Sequence, residues 1–303
     1  MGEQVSVEIL IGELPTKTQI HMRAEVIRGN EAGPVVWISG AVHGDELNGV
    51  EISRQVSRKL KPAILKGTVI IVPVVNVYGF NQEIRYLPDR RDLNRSFPGS
   101  KRGSMASRLA NTFINEIVKK CDLGIDLHTA SKGRYNLPQL RGDISDPFMS
   151  SLARAFSAPI FINGNPPTRS LRHAANKLGV PVVLYEAGEA DRMDSASIEI
   201  GKVGVLRVLR SLQMLSKAPV STTEDLLISS STKWVRAKRS GLLRLNVKTG
   251  DFVQKNQKIG VIGDAYGDRV FRVDAPTSGL VISHATKPLL NQGDPIVHIA
   301  TLD

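Results

Sequence analysis

The stretch Val35-Val36-Trp37-Ile38-Ser39-Gly40-Ala41-Val42-His43-Gly44-Asp45-Glu46 decides how the rest of the chain is read. Its apolar start reads as a buried strand. The strand breaks at Gly40 and is followed by a His and a Glu three positions apart. If the chain turns into a helix there, positions i and i+3 share one face and both side chains can reach the same metal ion. The spacing predicts that helix over residues 45–60, with Ile52, Val56 and Leu60 at i+4 spacing and Pro62 as its stop. A His-x-x-Glu pair occurs by chance in many proteins, so its position at a strand end is what gives it weight.

The surrounding pattern alternates. Residues 5–10 and 19–28 predict an opening hairpin, and Thr68-Val69-Ile70-Ile71-Val72-Pro73-Val74 is an apolar run expected of a strand covered on both faces. A long irregular stretch, 76–103, is rich in Arg, Asp, Asn and Pro and too long for an idle connection. Then come a helix over 105–120, a strand over 123–127 ending at His128-Thr129, a loop over 130–146 and a helix over 147–156. A strand at 159–162, a helix at 170–178, a strand at 181–185 and a long helix at 195–216 complete the series. Strands alternating with helices mean an α/β sheet with helices on both faces.

The composition changes after Leu215. Ser216-Lys217-Ala218-Pro219-Val220-Ser221-Thr222-Thr223 reads as a linker, placed at about 216–225, between a first domain of residues 1–217 and a β-domain of residues 226–303. The tail holds a loose repeat. Ser240-Gly241-Leu242-Leu243, Gly250-Asp251 and Ile259-Gly260-Val261 are echoed by Ser278-Gly279-Leu280-Val281, Gly293-Asp294 and Ile296-Val297-His298-Ile299. Two such β-halves predict a small flattened barrel or sandwich.

A chain of 303 residues can bury a substantial core. No apolar run approaches the roughly 18 to 20 residues that span a bilayer, and Met1-Gly2-Glu3-Gln4 does not begin a signal peptide. Cys121 is the only cysteine, so no intramolecular disulfide can form. These features predict a cytoplasmic protein with no membrane partner. The net charge of +11 suits nucleic acid, acidic small molecules or simple solubility. Aromatics make up only 5 % of the chain, and the densest basic run, Lys233-Trp234-Val235-Arg236-Ala237-Lys238-Arg239, alternates like a strand with a solvated face. Nucleic acid is therefore not an expected partner.

Three strand ends carry candidate ligands: His43 with Glu46, His128, and Glu186 after Val182-Val183-Leu184-Tyr185. Ligands of open α/β sheets bind outside the carboxyl ends of the strands, so these groups can share one crevice. Two His and one carboxylate with an open fourth position make a catalytic zinc set, and zinc lowers the pKa of bound water toward ~7. Glu186 is the natural general base beside it. Taken singly, His128 reads equally well as a satisfied core histidine, and Glu46 as a first-turn carboxylate facing the helix dipole. Arg85, Arg90, Arg91 and Arg95 cluster beside Asp92 and Asn94. Guanidinium forks bind carboxylates bidentately, although a solvated, ion-paired surface loop has the same composition. There is no Gly-x-Ser-x-Gly elbow, no His-Glu-x-x-His and no Walker loop. Cys121, between a helix and a strand, reads as a core residue rather than a nucleophile.

Four ordered motifs, Gly40-Ala41-Val42-His43-Gly44-Asp45-Glu46, Asp92-Leu93-Asn94-Arg95-Ser96-Phe97-Pro98-Gly99, Asp126-Leu127-His128-Thr129 and Tyr185-Glu186-Ala187-Gly188, resemble the succinylglutamate desuccinylase/aspartoacylase family over roughly residues 30–215. The resemblance implies a zinc-carboxypeptidase-like α/β/α sandwich with a mixed central sheet, followed by the small all-β domain. It implies one zinc ion per chain on His43, Glu46 and His128, with Glu186 activating the water. Asn94 and Arg95 would bind a substrate carboxylate. The oxyanion arginine of the family precedes the Asp-Leu-Asn-Arg motif in an Arg-Tyr context, which Arg85-Tyr86 matches; Arg91 is its rival and a further substrate-binding candidate. The tail is similar to biotinyl and lipoyl carrier domains. Its hairpin, Gly263-Asp264-Ala265-Tyr266-Gly267-Asp268-Arg269, holds no Lys to modify, so a cap over the site or a role in assembly is expected instead. The activity implied is a zinc-dependent amidohydrolase acting on a small anionic N-acyl amino acid or related carboxylated amide. A carboxypeptidase-like metallopeptidase on short peptides and a non-catalytic binding protein are the alternatives. The oligomeric state is left open, a homo-oligomer being allowed.

Overall fold

Val- and Ile-rich runs that do not alternate need cover on both faces, and they build the centre of the molecule. The computed structural model describes residues 2–217 and 226–303. The linker expected at about 216–225 lies almost wholly outside the described residues. The opening hairpin is β1 (Glu3–Glu13) and β2 (Gln19–Arg28), followed by β3 (Glu31–Ser39), α1 (Asn48–Lys59), β4 (Lys66–Val72) and the short α2 (Val77–Asn81). Next come α3 (Met105–Glu116), β5 (Leu123–Ala130), β6 (Arg134–Gly142) and α4 (Pro147–Phe156). The series ends with β7 (Ile160–Asn163), α5 (Leu171–Lys177), β8 (Val182–Glu189) and α6 (Ser195–Ser211).

These strands form one mixed sheet in the order β1-β2-β4-β3-β5-β8-β6. Neighbours among β4, β3, β5 and β8 are parallel, whereas β2 and β6 run antiparallel to β4 and β8. Every residue of β5 is buried, as its central position requires. On one face Ile52 and Val56 of α1, Phe156 of α4 and Val205 of α6 close over Tyr185. On the other, Leu109 and Phe113 of α3 and Leu171 of α5 pack with Met22 and Trp37. The result is an α/β/α sandwich. Full burial of Trp37, Phe113 and Phe156 stabilises it by roughly 1.5–3 kcal/mol for each side chain.

The stretch 130–146, expected as a loop, contains the strand that branches the sheet. One edge of β6 pairs with β8, and the other is shared between β15 (Gly279–Ala285) of the tail and β7. Pro138 lies inside β6 and has no N–H to donate, which disguises the strand in the sequence. The register slips between Asn136 and Gln139, so the proline sits at an irregularity.

Before β15 the tail runs through β9 (Leu227–Ser229), β10 (Ser231–Arg236), β11 (Gly241–Leu245), β12 (Phe252–Val253), β13 (Lys258–Gly263) and β14 (Val270–Asp274). It closes with β16 (Leu289–Leu290) and β17 (Pro295–Thr301). A small antiparallel sheet, β14-β13-β11-β16, covers a core that includes Val235, Ile259, Ile262 and Ile299. The opposing strands β15, β17 and β10 continue the large sheet beyond β6. The sandwich anticipated from the repeat therefore shares one of its layers with the α/β unit. Gly241 and Gly279 carry matching φ of 153° and 155°, and Gly250 and Gly293 match at 92° and 93°, which bears out the internal repeat. No helix among the described residues is long and apolar enough to cross a membrane.

Candidate active site

The chain does not enter a helix at Asp45. After β3, Gly40 N donates to Val72 O at 3.1 Å and Asn76 N donates to Ala41 O at 2.9 Å, prolonging the pairing past the strand. Residues 43–46 then form a turn in which Glu46 N donates to His43 O at 3.2 Å, and α1 begins only at Asn48. The ends of a four-residue turn lie as close as positions i and i+3 of a helix, so the same spacing serves from a different element. Gly44 allows the turn to nest against α2: a Cβ there would stand 2.0 Å from the carbonyl carbon of Gly79.

His43, Glu46 and His128 each offer a ligand atom, and these atoms lie within 4.8 Å of one another, all three side chains buried. Nδ1 of His43 is 2.7 Å from Glu46 Oε1, and Nδ1 of His128 is 2.7 Å from Glu46 Oε2. The opposite ring nitrogens face other carboxylates: His43 Nε2 lies 3.2 Å from Asp92 Oδ1, and His128 Nε2 lies 2.8 Å from Asp126 Oδ2. With an Nε2 proton shared toward each aspartate, both Nδ1 lone pairs converge on the space beside Glu46. Carboxylate-oriented histidines of this kind are the usual supports of metal-ligating imidazoles. The donor set could hold a metal ion.

Electrostatics follow from burial and crowding. Burial disfavours the charged form of His43, yet Glu46 and the bonds to Asp92 and Glu46 outweigh it and raise the pKa. Burial also opposes charge on His128, where Asp126 and Glu46 hold it well above the usual value. Glu46 is buried too, and the two histidines keep its carboxyl well below the ordinary range. Asp126 is tied further back, accepting from Ser39 Oγ at 2.8 Å, and Ser39 Oγ accepts from Trp37 Nε1 at 3.2 Å. A line of hydrogen bonds thus fixes His128 from the floor of the sheet.

A cavity of about 320 Å³ opens over these ligands, and its walls include Arg85, Asn94, Arg95 and Glu186. Glu186 Oε2 accepts from Asn136 Nδ2 at 3.0 Å and pairs with Arg141 Nη2 at 3.1 Å. Arg85 reaches Glu46 Oε1 at 3.4 Å and Asp92 Oδ2 at 3.0 Å. Asn94 is buried, and its Oδ1 accepts from Leu171 N at 2.8 Å, the first residue of α5. Arg95 bonds Asn94 O at 2.6 Å and stands between the main cavity and a side cleft. Arg91 lies apart from these groups: its side chain is 64 % exposed and lines only the side cleft, near Asp89.

Several groups escaped the sequence reading. Asp126 precedes His128 by two positions on one strand, hence on the same face, and that spacing alone could have found it. Asp92 stood inside a quoted motif. Asn136 and Arg141 were hidden with β6, and Arg172 on α5 gave no local sign of facing the cavity. From the tail come Trp234 and Ser283. Trp234 is stacked on His298 at 4.2 Å between ring centroids, with the Arg134 guanidinium 5.7 Å over its ring. Cys121 is buried away from all of this, and burial pushes its thiol up to about 12.

Comparison with known proteins bears on this arrangement. The succinylglutamate desuccinylase/aspartoacylase catalytic domain model matches residues 32–212. The N-alpha-acetyl-L-2,4-diaminobutyric acid deacetylase of Halomonas elongata is 27 % identical over 281 residues, covering 88 % of this chain and 82 % of that protein. A succinylglutamate desuccinylase/aspartoacylase structure from Rhodobacter sphaeroides superposes with a TM-score of 0.89 at 23 % identity, over 100 % of this chain and 96 % of the other. The product-bound ectoine utilization protein EutE (DoeB) from Ruegeria pomeroyi gives 0.89 at 24 % identity, over 99 % and 95 % of the two chains. These two likenesses establish the shared fold.

Proposed function

Because this chain belongs to the succinylglutamate desuccinylase/aspartoacylase family, we propose that it is a zinc-dependent amidohydrolase that cleaves the amide of an N-acyl amino acid or a related small carboxylated amide. One observation carries the reading: a His-Glu-His group able to hold a metal lies beneath a cavity whose walls combine Glu186 with several arginines. The Halomonas elongata relative, a deacetylase of an N-acetylated amino acid, supports the same class.

His43, Glu46 and His128 would hold one zinc ion, which supplies Lewis-acid polarisation of the amide carbonyl and a lowered pKa for water. The chain's own groups do the rest. Glu186 takes the proton of the attacking water on its carboxylate and passes it to the leaving amine nitrogen. Arg85, anchored by Asp92, donates to the oxygen that gains charge as the carbonyl carbon becomes tetrahedral. We assign that role to Arg85 over Arg91 because Arg85 lines the cavity of the ligand group. Asn94 and Arg95 receive the substrate carboxylate, and Arg91, the other substrate-binding candidate, stands beyond them in the side cleft. Residues 1–217 carry the chemistry in this reading, and residues 226–303 complete the wall through Trp234 and Ser283.

Metal analysis of the purified protein, joined to a hydrolysis screen, tests the proposal. The screen spans N-acetyl and N-succinyl amino acids, Nα-acetyl-2,4-diaminobutyrate and short peptides. Turnover of an N-acyl amino acid that is lost on chelation and restored by zinc is the expected result. Hydrolysis confined to peptides would move the protein to the peptidases, and failure to bind any divalent metal would sink the reading.

A further inference from the structure

The outer edge of β1 is open. Among the described residues β1 pairs with β2 alone, so the backbone N–H and C=O groups that point away from β2 have no strand to bond. Residues 3–10 pair with β2 without a slip, and the register shifts only between Leu10 and Gly12. That regular stretch presents about 27 Å of unpaired edge. Natural edges are ordinarily guarded by Lys, by Pro, by a bulge within the strand or by a covering element. Glu3-Gln4-Val5-Ser6-Val7-Glu8-Ile9-Leu10 contains neither Lys nor Pro. The opposite edge of the sheet, β10, does carry such guards in Lys233 and Arg236. Val5, Val7 and Ile9 share the face of Val26, Ala24 and Met22, their register partners on β2. Ile9 and Val26 pack against the core that α3 covers. Val5 and Val7 run past that cover and are 38 % and 40 % exposed.

Charge does not repel a second copy from this edge. Glu3 stands opposite Arg28 and Glu8 opposite Arg23 in the hairpin register, and Glu13 lies 3.5 Å from Lys17 Nζ, so each glutamate of β1 has a cation of its own hairpin beside it. The strand's own sequence then selects a register. Side chains directly opposite in an antiparallel pair lie on one face, so self-pairing about a two-fold axis joins positions of equal parity. An axis through Ser6 sets Val5 against Val7 of the second copy and Val7 against its Val5, with Val26 and Ala24 extending the apolar row on both sides. Gln4 faces Glu8 of the second copy, an amide against a carboxylate, and no two glutamates are opposed. An axis through Glu8 would oppose like charges there and again at Glu3 with Glu13, which is destabilising. An axis through Val7 would set Gln4 against Leu10 and run the pairing into the irregularity after Leu10.

We propose that β1 is a self-association edge: two copies of the chain pair antiparallel through residues 3–9, centred on Ser6, and join their central sheets into one across a closed two-fold dimer. Main-chain hydrogen bonds satisfy the open edge, and the four valines exclude water from one face of the seam. No residue of β1 lines the cavity over His43, Glu46 and His128, so the dimer stands apart from the amidohydrolase reading and neither depends on the other.

Sedimentation equilibrium on the full chain tests the proposal, run up to about 100 µM because a single strand edge is a small interface. The mass should approach twice the 33.0 kDa of one chain. Val7→Lys puts an ammonium group into the valine cluster and should return the mass to that of one chain. Its Tm should be unchanged below the dimerising concentration, since the site is half-exposed in the single chain. Cysteine crosslinking reads the register and does not rely on that variant. Two copies of Ser6→Cys meet on the axis with Cα atoms about 4.5–5.5 Å apart, inside the range a disulfide spans. Oxidation with diamide should therefore give a covalent dimer. Glu8→Cys, which faces Gln4 of the second copy, should not crosslink, and the wild type is the blank because its single cysteine, Cys121, is buried. A single-chain mass over the whole range, or a dimer indifferent to Val7→Lys, overturns the proposal. Equal crosslinking of the two cysteine variants overturns it as well, since that is the mark of random collision. Assemblies that grow past two copies also overturn it and point instead to β1 meeting β10 head to tail.

Discussion

His128 and Glu186 are register partners on the adjacent parallel strands β5 and β8, and both line the cavity over the ligand group. Neighbouring strands lie about 4.8 Å apart, so the sheet itself sets a proposed base beside a proposed ligand. Loop motion is not needed to bring them together. Glu186→Gln keeps the shape of the side chain and a carbonyl for Asn136, but it cannot take a proton. Turnover should fall by roughly 10²–10⁴-fold while zinc content, measured by elemental analysis, stays at the wild-type level. A variant that retains most of its kcat would remove Glu186 from the role of base.

Asp126 supports His128 from behind, and its other oxygen is held by Ser39. Asp126→Asn preserves the size of the group but weakens the hold on the imidazole tautomer. Metal affinity, titrated against a competing chelator, should drop by about 10–100-fold, the range for such supporting carboxylates. Unchanged affinity would mean that the His128 ring is oriented by packing alone.

Gly44 sits where the ligand turn meets α2. The Cβ of Gly44→Ala would land 2.0 Å from the Gly79 carbonyl carbon and 2.2 Å from Phe80 N, both backbone atoms that cannot rotate away. The turn must shift, and overpacking of this kind costs about 1–3 kcal/mol. Both a lower Tm and weaker metal binding are expected, since His43 and Glu46 flank the displaced residue. A fall in Tm with metal affinity intact would show that the turn tolerates the shift.

His298, under the Trp234 ring, ties stability to pH. Burial, reinforced by the Arg141 and Arg134 guanidiniums, lowers its pKa to about 3. The unfolded chain takes up this proton near pH 6.5 and the folded chain does not until about 3, so its contribution is complete above pH 6.5 and is lost as the pH falls toward 3. Between pH 6.5 and 5, where carboxylates interfere least, His298→Phe should flatten the fall in unfolding free energy by up to about 1.4 kcal/mol per pH unit. Denaturant melts of both proteins at several pH values measure the difference. Parallel curves would show that His298 titrates normally in the fold.

The sequence alone determined the alternation of covered strands and helices, because a strand buried on both faces must be apolar throughout. It also placed His43, Glu46, His128 and Glu186 at strand ends, since each follows or closes such a run, and the repeat in the tail followed from its paired glycines. What the tertiary structure decided depends on partners distant in the chain. The 43–46 segment is a turn rather than a helix: the backbone just before it, Gly40 and Ala41, is tied to Val72 and Asn76, and Asp45 O accepts from Asp191 N. β6 is a strand because β8, β15 and β7 pair with it despite Pro138. Arg91 and Arg172 show the same limit from opposite sides. Arg91, prominent in an arginine-rich segment, faces solvent, while Arg172, unremarked in a short helix, is buried in the cavity with donors to spare. Local periodicity says which residues share a face. Only the packing of whole elements says what that face meets, and therefore which charges remain unpaired.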